Sequence, residues 1–172
     1  MRKGFTLVEV LAVLVILGLL LILTVPAYTS IYAGIKRQNL QSKITEVKTA
    51  AKKYGETIKD EIKNTGAACY QTSIEKLIKD GYLVSDTDKE AAMIDPTNNS
   101  KLLGAVKICY CESDYDIEAF YTTVFDPNKL YFEGDVVTVG NKIYECMMTY
   151  DVTTGINSTN DKGVRYFKEV GC

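Results

Sequence analysis

The sequence predicts an α+β fold in which one long N-terminal helix lies on an antiparallel β-sheet meander. Three observations carry that prediction. An apolar run at 5–25 is followed, beyond Pro26, by Tyr28, Ile31, Ile35, Leu40, Ile44, Val47, Ala51, Tyr54, Ile58 and Ile62. Steps of three and four describe one face of a single helix. The second half of the 172-residue chain then holds four segments rich in β-branched and aromatic residues, separated by turn-forming ones.

Taken in order, the run at 5–25 is 21 residues, which at about 1.5 Å per residue matches the roughly 30 Å hydrocarbon core of a bilayer. Val25-Pro26-Ala27-Tyr28 is a poor secretory cleavage site. Arg2 and Lys3 place the N-terminus in the cytoplasm, so a single-pass chain with its bulk exported is expected. The helix carries its stripe on to about residue 63, for a total of roughly 90 Å, with Lys36, Arg37, Gln41, Lys48, Lys52 and Lys59 on the other side. Asn64-Thr65-Gly66 ends it. Thr72 and Glu75 have capping-box spacing for a short helix at 73–79, and 85–100 reads as an exposed loop. Strands follow at 105–112, 117–124, 130–139 and 142–150, turning at Ser113-Asp114, Asp126-Pro127-Asn128 and Gly140-Asn141.

Composition excludes several functions. The chain has no histidine and no tryptophan, which removes Ser-His-Asp and Cys-His catalysis and His-ligated zinc. No convincing acid pair is present, so no enzyme activity and no cofactor are expected. A net charge of -2 without a basic block gives no reason to expect direct nucleic-acid binding.

Glu9 is the anomaly. An ionised carboxylate within an apolar span costs about 2.5 to 3.5 kcal/mol, less near an end. One reading is that Glu9 simply sits in the first turn, where the helix dipole favours an acid. The other begins from Lys3-Gly4-Phe5-Thr6-Leu7-Val8-Glu9-Val10-Leu11, which resembles the class III signal of type IV pilins and pseudopilins. The resemblance implies a leader at 1–4, cleaved by a prepilin peptidase between Gly4 and Phe5, with Phe5 then N-methylated. It implies a membrane and filament-core helix at 5–27 and an exported head at 28–172 with the pilin fold. Partners would be other pilin subunits in a helical filament, the peptidase, an assembly platform protein and its ATPase, and the cytoplasmic membrane before assembly.

On that resemblance Glu9 neutralises the freed N-terminus of a neighbouring subunit inside the filament. Phe5 and Glu9, four apart, share one helix face. Gly18 and Pro26 become the ends of a stretch that loses helicity when subunits pack. The job implied is a structural subunit of a surface filament for adhesion or motility. A minor pilin or a pseudopilin of a secretion or DNA-uptake machine carries the same signal.

Five cysteines, Cys69, Cys109, Cys111, Cys146 and Cys172, follow the span and so fall in a disulfide-permissive compartment. Cys109 and Cys111 share a strand face and are poorly placed to pair with each other. The resemblance implies a disulfide closing the C-terminal region. The expectation is Cys172 with one strand cysteine and Cys69 with another, one thiol remaining free. A four-thiolate zinc site using Cys109, Cys111, Cys146 and one more is the alternative, though C-x-C is a weak zinc signal. Finally, "YFEGDVVTVGNKIYEC" is locally similar to small chitin-binding modules, whose stacking platform would need the tryptophan this chain lacks.

Overall fold

The computed structural model describes residues 6–64, 69–111, 116–150, 155–159 and 163–171, with only the helical backbone described at 21–30. Helix α1 spans Leu7–Thr57, a length of 51 residues, and is continuous through both Gly18 and Pro26. Its apolar stripe reaches the sheet in the outer half, where Val47, Ala50, Ala51 and Tyr54 are buried. Gly55 lets the helix approach most closely. A Cβ there would stand 2.6 Å from Ile108 Cγ2 and 2.7 Å from Ile117 Cγ2.

The helix ends earlier than its stripe implies. The Thr57 hydroxyl donates to the Tyr54 carbonyl at 2.6 Å, and the Ile58 amide donates to the Gly55 carbonyl three residues back at 3.2 Å. Those two bonds tighten the last turn and divert the ladder. A separate short helix, α2 (Lys59–Asn64), then puts Ile62 back into the core. The ends expected at Thr65 and Gly66 lie outside the described residues.

Strand β1 (Cys69–Thr72) precedes helix α3 (Ile74–Lys79). The cap of α3 falls one position later than the capping-box spacing suggests. Ser73, extended at φ -116°, accepts from the Lys76 amide, while Thr72 is the buried end of β1. The segment 85–100 is a loop, but not an exposed one throughout. Ala92 and Met93 are buried, Lys43 pairs with Asp86, and the Ser85 hydroxyl donates to the Ala92 carbonyl and accepts from the Ala92 amide.

Strands β2 (Ala105–Cys111), β3 (Asp116–Val124), β4 (Val136–Val139), β5 (Lys142–Cys146) and β6 (Phe167–Val170) complete a six-stranded sheet in sequence order. Every neighbouring pair is antiparallel except β3 and β4, which run parallel. The expected four-strand antiparallel meander is therefore corrected twice, by two extra edge strands and by one parallel joint. The cause of the second lies between β3 and β4. After the turn closed by the Lys129 amide on the Asp126 carbonyl, the chain pairs Tyr131 with Tyr150. A second turn follows, with the Asp135 amide on the Phe132 carbonyl and Gly134 at φ +85°. The strand expected at 130–139 begins only at Val136, already heading the same way as β3. The hairpin at Gly140-Asn141 is as expected, with Gly140 at φ +59° and Val139 opposite Lys142.

Two buried clusters result. One packs α1, α2 and α3 on β2 and β3 through Val47, Tyr54, Leu77, Ile108, Ile117 and their neighbours. The other is aromatic and local to the C-terminal part, made of Tyr131, Val137, Cys146, Tyr150 and Phe167, with Phe125 stacked 5.6 Å from Tyr131.

Candidate functional site

The N-terminal site starts from a threonine. Thr6 is extended at φ -79° and ψ 150°, the conformation of a residue just outside a helix, and its hydroxyl accepts from the Glu9 amide at 3.3 Å. The Glu9 carboxylate turns back, and its Oε2 accepts from the Thr6 amide and from the Thr6 hydroxyl, each at 3.0 Å. This is a reciprocal capping box, satisfying two donors that an α-helix leaves unpaired at its start. Glu9 is thus held by its own chain at the positive end of the helix dipole. Thr6 is the partner the sequence reading overlooked. The signal was present, since T-x-x-E before an apolar run is the spacing of a capping box.

Gly4 and Phe5, where cleavage is expected, lie outside the described residues. Around Glu9 the helix is wholly apolar, with large side chains from Leu7 (82% exposed) to Leu20 (53%) all at least half exposed. Among the described residues no helix is long and apolar enough to cross a membrane. The apolar run has described side chains only over 6–20, short of the roughly 20 residues a span needs.

Residues 1–25 match the model of the prokaryotic N-terminal methylation motif. The chain carries the class III signal of type IV pilins and pseudopilins. No solved structure matches the chain. The match spans Gly4, Phe5 and Glu9, so the capping-box carboxylate falls within it, and residues beyond 25 lie outside it.

The cysteines form a second group. Cys69 and Cys109 stand opposite each other in β1 and β2 and are joined by a disulfide, with Cα atoms 4.0 Å apart. Cys111 is disulfide-bonded as well. Cys146 is a free, buried thiol. It donates to the Met148 carbonyl at 3.0 Å, and burial pushes its ionisation up. Cys172 lies outside the described residues. A four-thiolate metal site is not what these sulfurs build, because Cys69, Cys109 and Cys111 are oxidised.

The "YFEGDVVTVGNKIYEC" segment commits its rings to packing. Tyr131 is 2% exposed, Tyr144 packs against the same aromatic cluster, and Phe132 lies 3.6 Å beneath the Arg37 guanidinium. Sugar-stacking platforms need a ring face open to solvent.

Proposed function

We propose that this chain is a prepilin, processed after Gly4 and polymerised as a structural subunit of a type IV surface filament. The methylation motif at 1–25 is the observation that carries the reading. Before assembly the apolar segment at 5–27 sits in the cytoplasmic membrane with the N-terminus inside, and the head is exported. The prepilin peptidase frees and methylates Phe5, and an assembly platform with its ATPase moves the subunit into the filament.

Physical chemistry supports the role assigned to Glu9. An uncompensated charge in an apolar bundle is costly, so a neighbour's cationic N-terminus sets the axial register of each incoming subunit. Thr6 holds the carboxylate until that partner arrives. The exposed apolar face from Leu7 to Leu20 is buried against other copies, and the stretch from Gly18 to Pro26 loosens as it packs.

Mass spectrometry of filaments sheared from the cell surface tests this. The expected result is a mature chain beginning with N-methylated Phe5 as the dominant protein. A chain retaining its first four residues, or none of it in the sheared fraction, overturns the reading. A scarce but processed chain identifies the alternative, a minor pilin or a pseudopilin of a secretion or DNA-uptake machine.

A further inference from the structure

We infer that residues 125–150 and 163–170 form a separately cohesive lobe, latched onto α1 by Arg37 and Asp135 and able to open where Val124 passes into Phe125 while the rest of the head stays folded. The lobe has a core of its own. Tyr131, Val137, Cys146, Tyr150 and Phe167 are buried against one another and form a cluster distinct from the one under α1. Its strand joint to the remainder is short. β3 and β4 share two residue pairs, Thr123 with Val137 and Val124 with Thr138, whereas β2 and β3 are paired all the way from Ala105 to Cys111. The Phe125 amide on the Thr138 carbonyl, at 3.1 Å, the Thr138 hydroxyl on the Thr123 carbonyl, at 3.4 Å, and a long contact from Lys107 Nζ to the Asn141 carbonyl, at 3.5 Å, add to that joint.

The clasp is more specific. Arg37 Nη2 donates to Asp135 Oδ1 at 2.8 Å, and Gln41 Nε2 reaches the same oxygen at 3.4 Å. The Arg37 guanidinium also lies over Phe132, 3.6 Å from its centroid, a cation–π contact that a lysine does not reproduce equally. The other carboxylate oxygen, Oδ2, accepts from the Phe132 amide at 2.9 Å. One carboxylate therefore shapes its own turn and holds that turn against the helix.

Behind the clasp the two parts do not close-pack. An open cleft of about 520 Å³ lies between Leu40, Leu102 and Tyr121 on one side and Lys129, Phe132 and Val136 on the other. Because solvent already enters between these side chains, opening here breaks few apolar contacts. The turn at Asp126-Pro127-Asn128 moves with the lobe, because Phe125 stacks on Tyr131 and the Asp126 amide donates to the Tyr131 hydroxyl at 2.7 Å, which leaves the step from Val124 to Phe125 as the pivot.

Amide hydrogen exchange on the full chain in detergent micelles tests the latch. A hydrogen bond to a charged group supports about a ten- to hundredfold change in an opening equilibrium. In Arg37→Ala, exchange at the β3–β4 joint, the Phe125 amide on Thr138 above all, is expected to quicken by roughly that factor, while β2 and the ladder between β5 and β6 keep the wild-type rate. Arg37→Lys, which keeps the charge but loses the guanidinium over Phe132, should fall between. The inference is overturned if β2 or the ladder between β5 and β6 quickens together with the β3–β4 joint, if the joint does not change, or if both variants fail to fold, because a latch can be removed without unfolding either core.

Discussion

The two halves of α1 are one continuous helix in opposite surroundings. From Leu7 to Leu20 its large apolar side chains stand at least half exposed, whereas Val47 and Ala51 are completely buried under the sheet. The outer half completes itself within a single chain, and its stability belongs to the head. The inner half does not, so it depends on whatever surrounds the molecule, which on the proposed reading is first a bilayer and then a bundle of identical helices. Substitutions in the two halves should consequently fail in different assays.

The sharpest separation is expected at Glu9. In Glu9→Ala the head should melt as in the wild type and Phe5 should still be exposed by cleavage, yet the chain should be almost absent from sheared filaments. Normal filaments from this variant would remove the charge-pairing role altogether. On the head side the largest effect belongs to the cross-strand disulfide. Cys69→Ser opens a bridge between residues 40 apart, and a loss of about 3 kcal/mol is expected in denaturant unfolding of the processed chain. Assembly competence should persist at low temperature.

Gly55→Ala comes next. Its methyl would collide with Ile108 and Ile117, and overpacking of this kind costs about 2 kcal/mol, read as a lower melting temperature with no change in N-terminal processing. Ser73→Ala should cost about 1 kcal/mol by uncapping α3. The mildest perturbation is alkali. Burial raises Tyr121 from the ordinary 10.0 to about 12, so the folded state holds that proton after the unfolded chain has lost it. Head stability should then be intact below pH 10 and decline as pH rises towards about 12. Ultraviolet titration of Tyr121→Phe against the wild type would show whether this ring carries the late ionisation.

The N-terminal element was the most legible part of the chain, because its chemistry is local. Gly4, Phe5 and Glu9 lie within nine residues, and the resemblance to the pilin signal rests on that short stretch, within the 1–25 match. The Gly140-Asn141 hairpin was legible for the same reason. What escaped the sequence depends on distant partners. β1, with the residues Cys-Tyr-Gln-Thr, and β6, with Phe-Lys-Glu-Val, are too short and mixed to show periodicity, and exist because β2 and β5 offer edges to pair with. The parallel joint was hidden by a turn that looked like a simple hairpin at Asp126-Pro127-Asn128. The break at Thr57 and Ile58 was masked by Ile58 and Ile62, which keep the apolar rhythm across a real discontinuity. Met93 looked exposed because its neighbours are acidic and asparagine-rich, while the fold presses that one side chain inward. Of the cysteines, Cys69 faces Cys109 only because β1 exists, so their pairing had no signature along the chain.

That pairing makes a closed ring of the chain from Cys69 to Cys109, threaded through α3 and the loop that follows. A protease cutting at the exposed tip near Asn98 and Asn99 would therefore divide the backbone without releasing either piece. The nicked protein would migrate as one species until a reductant is added. In an oxidising exterior the ring gives this stretch of the surface room to change in sequence and length, since losing continuity there does not detach the edge of the sheet.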